Sequence, residues 1–564
     1  MKFKQVINNI FKYNPKENYN FSLLPNTNNN SSKKTNEEKN KNLFSSLSVN
    51  LDYIKTRYNT LINSDIVLRE FILNARGKQF KAFILYIDGM VDSNLINDFV
   101  LTPLMLRNQN SDSAQKRVIS EAVTNNITVR KVKKFNLTDY IYNNLIPQND
   151  VKKVTEFGEI CSGVNSGNCA LFVDTIDTCF DIDVKGFKQR SVDSPNNEIV
   201  IKGPQEAFVE NIRTNTSMLR RIANNEHLII ESIDVGNVSK TNCAVCYMEN
   251  ISNNNLVAEV KYRINNLAVD SLFSCGQLEQ LIEDSNAYGI PEIINTERPD
   301  KSVKYILQGR VVVLVNGCPY ALIVPATLID FLSSPEDTNL KPIFGNFLKF
   351  IRILSVIITL LLPGIYIAVT SFHQEILPTE LLFSILGSRN NVPFPVIFEL
   401  LLMEISFELI REAGLRVPSP VGPTIGIVGA LVLGDAAVNA NIVSPFLIII
   451  VAITGISSFA IPEFSFGFHL RIFRFIFIAL GFIAGFLGIG LGLSAYATML
   501  CSMKSFGVPY TVPFAPVTPS QSNGYFIPPI WKQEYRAKFL SPKKEKAQQK
   551  ISMKWKYERN ENNE

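Results

Sequence analysis

The chain of 564 residues has three histidines, His227, His373 and His469, and eight scattered cysteines. No Cys/His grouping has structural zinc spacing, which excludes a zinc-organised fold. The net charge of +5 is small for this length, and no basic stripe carries interleaved aromatics, so nucleic acid is not an expected partner. No P-loop, Ser/His/Asp grouping or kinase signature is present. No catalytic residue is therefore assigned, and neither a cofactor nor a metal is expected. Cys243 and Cys246 form one CxxC inside the strand-like run Asn242-Cys-Ala-Val-Cys-Tyr-Met; buried, reduced core thiols are the plainer reading beside a redox pair. Met1 to Phe11 holds lysines but no apolar core of the length a cleavable signal peptide needs. The expectation is that the N-terminal region stays in the cytoplasm and the first apolar span acts as an internal targeting signal.

What is present is an asymmetry. The overall apolar share of 46% is ordinary for a soluble protein. It hides long apolar runs from Ile353 to Leu500, whereas the first 340 residues mix charge and apolar side chains as globular domains do. The pattern predicts a multidomain chain: an N-terminal cytosolic α/β region of two subdomains, then an α-helical transmembrane domain of about five to six helices. Residues 1–46, rich in Asn, Lys and Ser, bury too little apolar surface to offset ordering and read as a disordered tail. Residues 47–150 read as a first α/β subdomain, with a helix from Leu51, a strand over Gln79 to Asp88 and a helix from Asn94 to Met105. Residues 151–345 read as a second. Its expected strands begin at Cys169, Phe180, Leu228 and Asn242, and its expected helices at Glu206, Leu256 and Gly276. Arg310 to Val315, Asn316-Gly317 and Cys318 to Val324 read as a hairpin, with Asn-Gly supplying the two positive φ values of a type I′ turn. Residues 346–505 form the expected transmembrane domain, and 506–564 a basic cytosolic tail.

Five candidate spans follow: Ile353 to Phe372, Pro393 to Ile410, Thr424 to Val438, Ile442 to Ile461 and Ile472 to Leu500. Ile376 to Leu386 is too short and reads as interfacial or re-entrant. Lys349 and Arg352, Arg411 and Arg416, and Arg471 and Arg474 flank spans on what would be the cytoplasmic side. The tail from Trp531, with ten Lys/Arg and five Glu, also belongs inside. Both ends inside requires an even number of crossings, against five counted. Either the Gly-rich stretch Gly481 to Gly492 folds back, or one span is misread.

Acidic residues inside these runs are the sharpest chemical signal. Glu404, Glu408 and Glu412 recur every four residues along one helix face, with Glu399 just before them. A charge near a bilayer centre costs about 3 kcal/mol even on insertion scales, so such groups face a watery path or a partner. The first reading is a cation pathway, with carboxylate rings in an oligomer; the competing one is internal ion pairing, with Arg411 for example. Asp435 is a further candidate. Gly422, Gly426, Ala430 and Gly434 recur at the small-residue spacing that lets helices touch.

Several longer motifs occur in order. Arg190-Ser-Val-Asp-Ser-Pro-Asn-Asn-Glu, running on to Asn211, is followed by Thr214-Asn215 with Leu219-Arg220-Arg221. Thr296-Glu-Arg-Pro-Asp and Gly309-Arg-Val-Val-Val-Leu-Val-Asn-Gly-Cys-Pro come next, then Glu404 to Arg416, Gly426 to Val438 and Ser505-Phe-Gly-Val-Pro-Tyr. Together they resemble the A-subunits of GerA-type spore germination receptors, over about residues 50 to 520. The resemblance implies a subunit in the inner membrane of the dormant spore. It implies work with a transporter-like, nutrient-binding B-subunit and a C-subunit lipoprotein, among membrane lipid, and a homo-oligomer that conducts ions when the nutrient binds. A related spore membrane transport-complex paralogue carries similar motifs. A stand-alone secondary transporter and a non-conducting scaffold are the alternatives of other classes. Arg190, Glu198, Glu206, Arg213 and Arg298 are candidates for ion pairs between subdomains or subunits.

Overall fold

The computed structural model describes residues 21–25, 41–75, 78–105, 136–186, 195, 197–284, 289–416, 434–518, 526–549 and 552. Two five-stranded sheets, antiparallel in every pairing, come first. The first has the order β1-β2-β4-β5-β3, from β1 (Ile66–Ala75), β2 (Lys78–Ile87), β3 (Val151–Val154), β4 (Asn168–Val173) and β5 (Cys179–Asp183). The second repeats that topology as β6-β7-β9-β10-β8, from β6 (Leu228–Val235), β7 (Thr241–Met248), β8 (Ile294–Thr296), β9 (Val311–Val315) and β10 (Ala321–Val324). Helices recur at matching points. α1 (Leu47–Arg57) precedes the first hairpin and α2 (Phe157–Asn165) follows β3. In the second domain α3 (Ile212–Ala223) precedes the hairpin, α4 (Asn254–Asn265) and α5 (Cys275–Ile282) fill the crossover, and α6 (Pro299–Gln308) follows β8. The two domains are thus one architecture used twice.

β9 reads Val-Val-Val-Leu-Val and is buried at every position, because helices cover both faces of its sheet. Each such side chain contributes roughly 1.5–3 kcal/mol of burial. Cys243 and Cys246, three apart on β7, pack into the clusters on opposite faces, as strand alternation requires. They cannot act as a pair, and burial pushes the Cys243 thiol up to about 12.

α3 carries the contact between the domains. Asn211 caps it by accepting from the N–H groups of Arg213 and Thr214, and Asn224 ends it at φ 35°. Arg220 reaches back to the first domain, donating from Nε and Nη2 to both oxygens of Asp65 at 2.8 Å and from Nη2 to Asn63 at 3.1 Å. Asn63 also accepts the Ile230 N–H at 2.8 Å, and Ser64 N–H donates to the Ile230 carbonyl. Arg57–Glu226 and Arg213–Asp88 bridge the same seam.

The apolar cluster on one face of the second sheet continues into the helical region through α7 (Leu328–Phe331), α8 (Pro342–Ser371) and α12 (Phe464–Ser502). Between them lie α9 (Thr379–Arg389), α10 (Val396–Arg416) and α11 (Pro445–Phe459). Among the described residues, α8 and α12 are long and apolar enough to cross a membrane. α12 is not one rod. Ala484 and Gly485 leave helical geometry, and Gly485 takes φ 58°, ψ −139°, a region open to glycine. The chain turns back there: Tyr496 meets His469 at 3.1 Å, and Gly492 abuts Phe477 and Leu480. α8 lies against the outgoing arm where a Cβ on Gly364 would sit 2.8 Å from the Phe477 carbonyl oxygen, and one on Gly481 2.6 Å from that of Gly364.

After the hairpin the chain rejoins the second domain. Ser505 accepts the Ala326 N–H at 3.0 Å and donates to the Glu292 carbonyl at 2.7 Å, and Phe506 is fully buried against α4 and α5. Lys543 donates to the carbonyls of Ile251 and Glu249.

Several expectations change. Strands β3, β4 and β5 belong to the first sheet, so the domain boundary falls after Asp183, not at residue 150, because β2 pairs with β4 across the sequence gap. The segment 21–25 of the expected tail docks on the second domain: Leu23 packs in its core, and Leu24 accepts from Asn253 at 3.0 Å. The region from 506 begins as buried structure rather than free tail. The expected helix from Glu206 starts at Ile212. The β9–β10 hairpin pairs Leu314 with Ala321, and Gly317, at φ 85°, is its one positive-φ residue, so the turn is not type I′. The strand β1 and the helix α6 were not anticipated.

Two measurements test this packing. Gly364→Ala should lower the thermal unfolding midpoint through about 1–3 kcal/mol of overpacking, while Gly490→Ala, with open space around it, should leave the midpoint equal or higher. Arg220→Leu strips Asp65 and Asn63 of their partner inside the seam and should cost about 3–5 kcal/mol, read as a loss of midpoint or as separate unfolding of the two domains. Equal midpoints for both glycine variants, or a neutral Arg220→Leu, would contradict this account.

Candidate functional site

The acidic face of α10 is the candidate site. Its residues at positions 399, 404 and 408 point inward because the opposite face, with Phe398, Leu402, Ile405 and Leu409, is exposed and apolar. Glu399 and Glu404 are fully buried. Arg389, the last residue of α9, approaches Glu399 Oε1 with Nη2 at 3.1 Å and Nε at 3.3 Å, and the Ser444 N–H donates to the other oxygen at 3.2 Å. Arg474 comes from the outgoing arm of α12. Its Nη2 lies 2.8 Å from Glu404 Oε2 as an ion pair and donates to Glu408 Oε1 at 3.2 Å. Arg411, one turn on, pairs with the second oxygen of Glu408. Two carboxylates of one helix are thus bound to one guanidinium of another, with Arg474 itself fully buried. In a low dielectric such charges persist only as partners, and removing one leaves the other uncompensated.

Glu412 is exposed, one turn beyond Glu408. Asp435 lies in the helical stretch 434–439, is exposed, and takes no part in these pairs. Gly434 begins that stretch with open space around it; Gly422, Gly426 and Ala430 lie outside the described residues. Close backbone-to-backbone approach between helices occurs instead at Gly364 and Gly481, and Gly455 admits the Phe407 ring of α10. Sequence spacing found the carboxylates, whereas Arg389 and Arg474 escaped because their partners are 10 and 66–70 residues away. Arg474 had been weighed only as an orientation signal.

A second polar cluster joins the second domain to the start of α12. Arg298 is fully buried and donates to the carbonyls of Glu198 and Pro204 at 3.1 and 2.8 Å, which pins the loop between them. Its guanidinium also pairs with Asp300 at 2.9 Å, while Pro299 starts α6. Glu198 accepts from Lys301 at 2.6 Å and from the Thr296 hydroxyl. Burial is the largest single influence on Lys301 and works against its ammonium, but Glu198, Glu463 and Asp330 together leave it above the ordinary lysine value. A cavity of about 150 Å³ opens here, where Glu198, Lys301 and Asp330 face Pro462 and Glu463 at the foot of α12. Burial pushes the Glu463 carboxyl up to about 7, with Lys301 pulling the other way. Arg310 closes the cluster by binding Asp330 and the Pro325 carbonyl, both at 2.8 Å. Glu206 pairs with Arg221 within the second domain, Arg213 with Asp88 across the seam, and Arg190 lies outside the described residues. Nothing here assembles a nucleophile with a base, and no group of metal-ligating side chains occurs among the described residues.

Comparison with known proteins matches this arrangement to one family. A family model described as "Bacillus/Clostridium GerA spore germination protein" matches residues 52–539. Spore germination protein KA of Bacillus subtilis is 36% identical over 515 residues, covering 91% of this chain and 90% of that protein. Spore germination protein A1 of the same organism is 37% identical over 464 residues, covering 82% and 88%. The N-terminal domain of the A subunit of the Bacillus megaterium spore germinant receptor GerK3 is 31% identical, covers 51% of this chain and 98% of that domain, and superposes with a TM-score of 0.36. With a model match over most of its length and relatives aligned nearly end to end, the chain belongs to the GerA spore germination protein family.

Proposed function

We propose that this chain is the membrane-embedded A-subunit of a nutrient-responsive spore germination receptor, and that it oligomerises into a ligand-gated cation channel. It would sit in the spore inner membrane with the two α/β domains on the cytosolic side. A transporter-like B-subunit and a C-subunit lipoprotein would be its partners. The observation that carries the channel reading is the Glu404–Arg474–Glu408 grouping. Two carboxylates on one helix face, Glu404 buried and Glu408 partly so, are neutralised by an arginine on a different helix, so a shift of α12 uncovers negative charge along α10. The foot of α12 adjoins the Glu198–Lys301 cluster, which gives the second domain a lever on that shift. The paired state is then the closed one, and opening exchanges Arg474 for water and cations.

A non-conducting membrane scaffold is the second reading, favoured by the fact that Glu399, Glu404 and Glu408 each already have an arginine partner inside one subunit. Cation flux through the purified chain in liposomes separates the two, measured alone and with its B- and C-subunits and nutrient. The channel reading expects Glu404→Gln/Glu408→Gln to reduce flux or abolish cation preference by tenfold or more. It expects Arg474→Gln to raise flux without nutrient, with Arg474→Lys as the check that the fold survives. No flux from any of these, with partners present, leaves the scaffold.

A further inference from the structure

Three arginines converge at the site with more donors than the protein uses. Each guanidinium carries five N–H groups and no acceptor. Arg474 engages Glu404 and Glu408 through Nη2, while its Nε and Nη1 are buried without a hydrogen-bond partner. Arg411 engages Glu408 through Nη2, and its Nε and Nη1 are likewise unmatched. Arg471, one helical turn before Arg474, is 6% exposed and makes no ion pair among the described residues; its Nε and Nη2 have no partner. Burying such donors unmet costs about 1–3 kcal/mol each and more when charged. Glu404 offers spare acceptor oxygens only beside Arg474, so Arg471 is the arginine for which the described residues supply no acceptor.

The surroundings say which acceptor fits. Glu408 is shared between Arg474 and Arg411, and Glu404 faces Arg474 as an ion pair, so neither carboxylate is paired with Arg471. The Arg471 guanidinium lies over the rings of Phe464 and Phe468, at 5.7 and 5.3 Å. Those rings are 63% and 48% exposed, on the apolar outer surface of α12. A ligand here meets a guanidinium fork and hydrocarbon together. At 1.5 Å per residue, Arg471 and Arg474 stand about 12 and 16 Å along α12 from Glu463, where the second domain ends. Arg411 lies near the C-terminal end of α10 at the same level. In the proposed membrane arrangement this places the three arginines toward the domain-facing end of the helices, where headgroups lie. Guanidinium pairs bind phosphate oxygens bidentately, and basic pockets between helices on the cytoplasmic side hold anionic headgroups.

We propose that Arg411, Arg471 and Arg474 form a binding site for the phosphate group of an anionic phospholipid, with Arg471 as its unshared ligand. The lipid would link the helix that carries the carboxylates to the helix that neutralises them. This rests on the reading of α8 and α12 as membrane helices.

The test is thermal unfolding of the full chain in a non-ionic detergent, titrated separately with phosphatidylglycerol, phosphatidylcholine and inorganic phosphate. Phosphatidylglycerol should raise the midpoint by several degrees and phosphatidylcholine should not, as expected for a ligand that binds the folded state. Arg471→Gln should lose at least half of that shift. Its lipid-free midpoint should stay near the parent's, because Arg471 has no ion pair to break. Arg471→Lys, which keeps the charge and loses the fork, should fall between and serves should the glutamine variant not fold. Equal shifts with both lipids, or an undiminished shift in both variants, overturn the site. A full shift with inorganic phosphate alone overturns the lipid as its source. Release of the expressed chain from vesicles by alkaline carbonate would instead overturn the membrane reading beneath it.

Discussion

Arg474 is the group around which the helical region is organised. It is fully buried, sits within 2.8–3.2 Å of two carboxylates on another helix, and has no other acceptor among the described residues. Removing either partner of such a pair costs about 3–5 kcal/mol, so α10 and the outgoing arm of α12 are held in one register. The pairing also asks for close helix packing, since water would otherwise reach the charges. Gly364 and Gly481 provide it by letting α8 and α12 meet backbone to backbone. Charge and packing are therefore coupled: a side chain at either glycine pushes apart the helices that shield the arginine.

The same logic runs through the soluble domains at a different site. Arg220 joins the first domain to the second, Arg298 and Lys301 fix the loop that reaches Pro462 and Glu463, and Arg310 ties α7 to the sheet. Each is a buried arginine or lysine meeting carboxylates or carbonyls from distant parts of the chain. The TERPD-like and Leu-Arg-Arg motifs gain a physical role: they are joints rather than reaction centres. Charge-assisted contacts thus accompany the apolar cluster that joins the second sheet to the foot of α12.

Much of this was legible beforehand, and the gaps have physical causes. The strands around Ile84, Leu171, Ile230, Val245 and Val313 stood out as short apolar runs, and the long helices stood out by length. β1 was missed because the adjacent, exposed Arg69 and Glu70 fall on opposite faces and break the alternation of its apolar residues, so period two is weak there. α6 was missed because Lys301 and Ser302 are buried polar residues, which mimic a surface segment in sequence. The domain boundary was misplaced because strand order is non-local: β3 pairs with β5, 25–31 residues later, not with anything before it. The carboxylates of α10 were legible by spacing alone. Of their partners only Arg411, three residues from Glu408, was legible as an ion pair; Arg389 and Arg474 come from other helices, and only packing brings them to the carboxylates.

The turn in α12 also bears on an arithmetic difficulty in the charges. Lys349 and Arg352 precede the helical region and the basic tail follows it, so the two ends ask to be on one side, which five crossings do not allow. The break at Ala484 and Gly485 converts the last apolar stretch into two antiparallel arms. Ser505 and Phe506 then return to the domain from which α8 departs, bonding Ala326 and packing on α4 and α5. The number of passes between residues 342 and 503 must therefore be even in the proposed membrane arrangement, whatever path residues 417–433 take. The basic residues at both ends and the cluster at Arg471 then share one side with the soluble domains, where a shift of α12 can be driven.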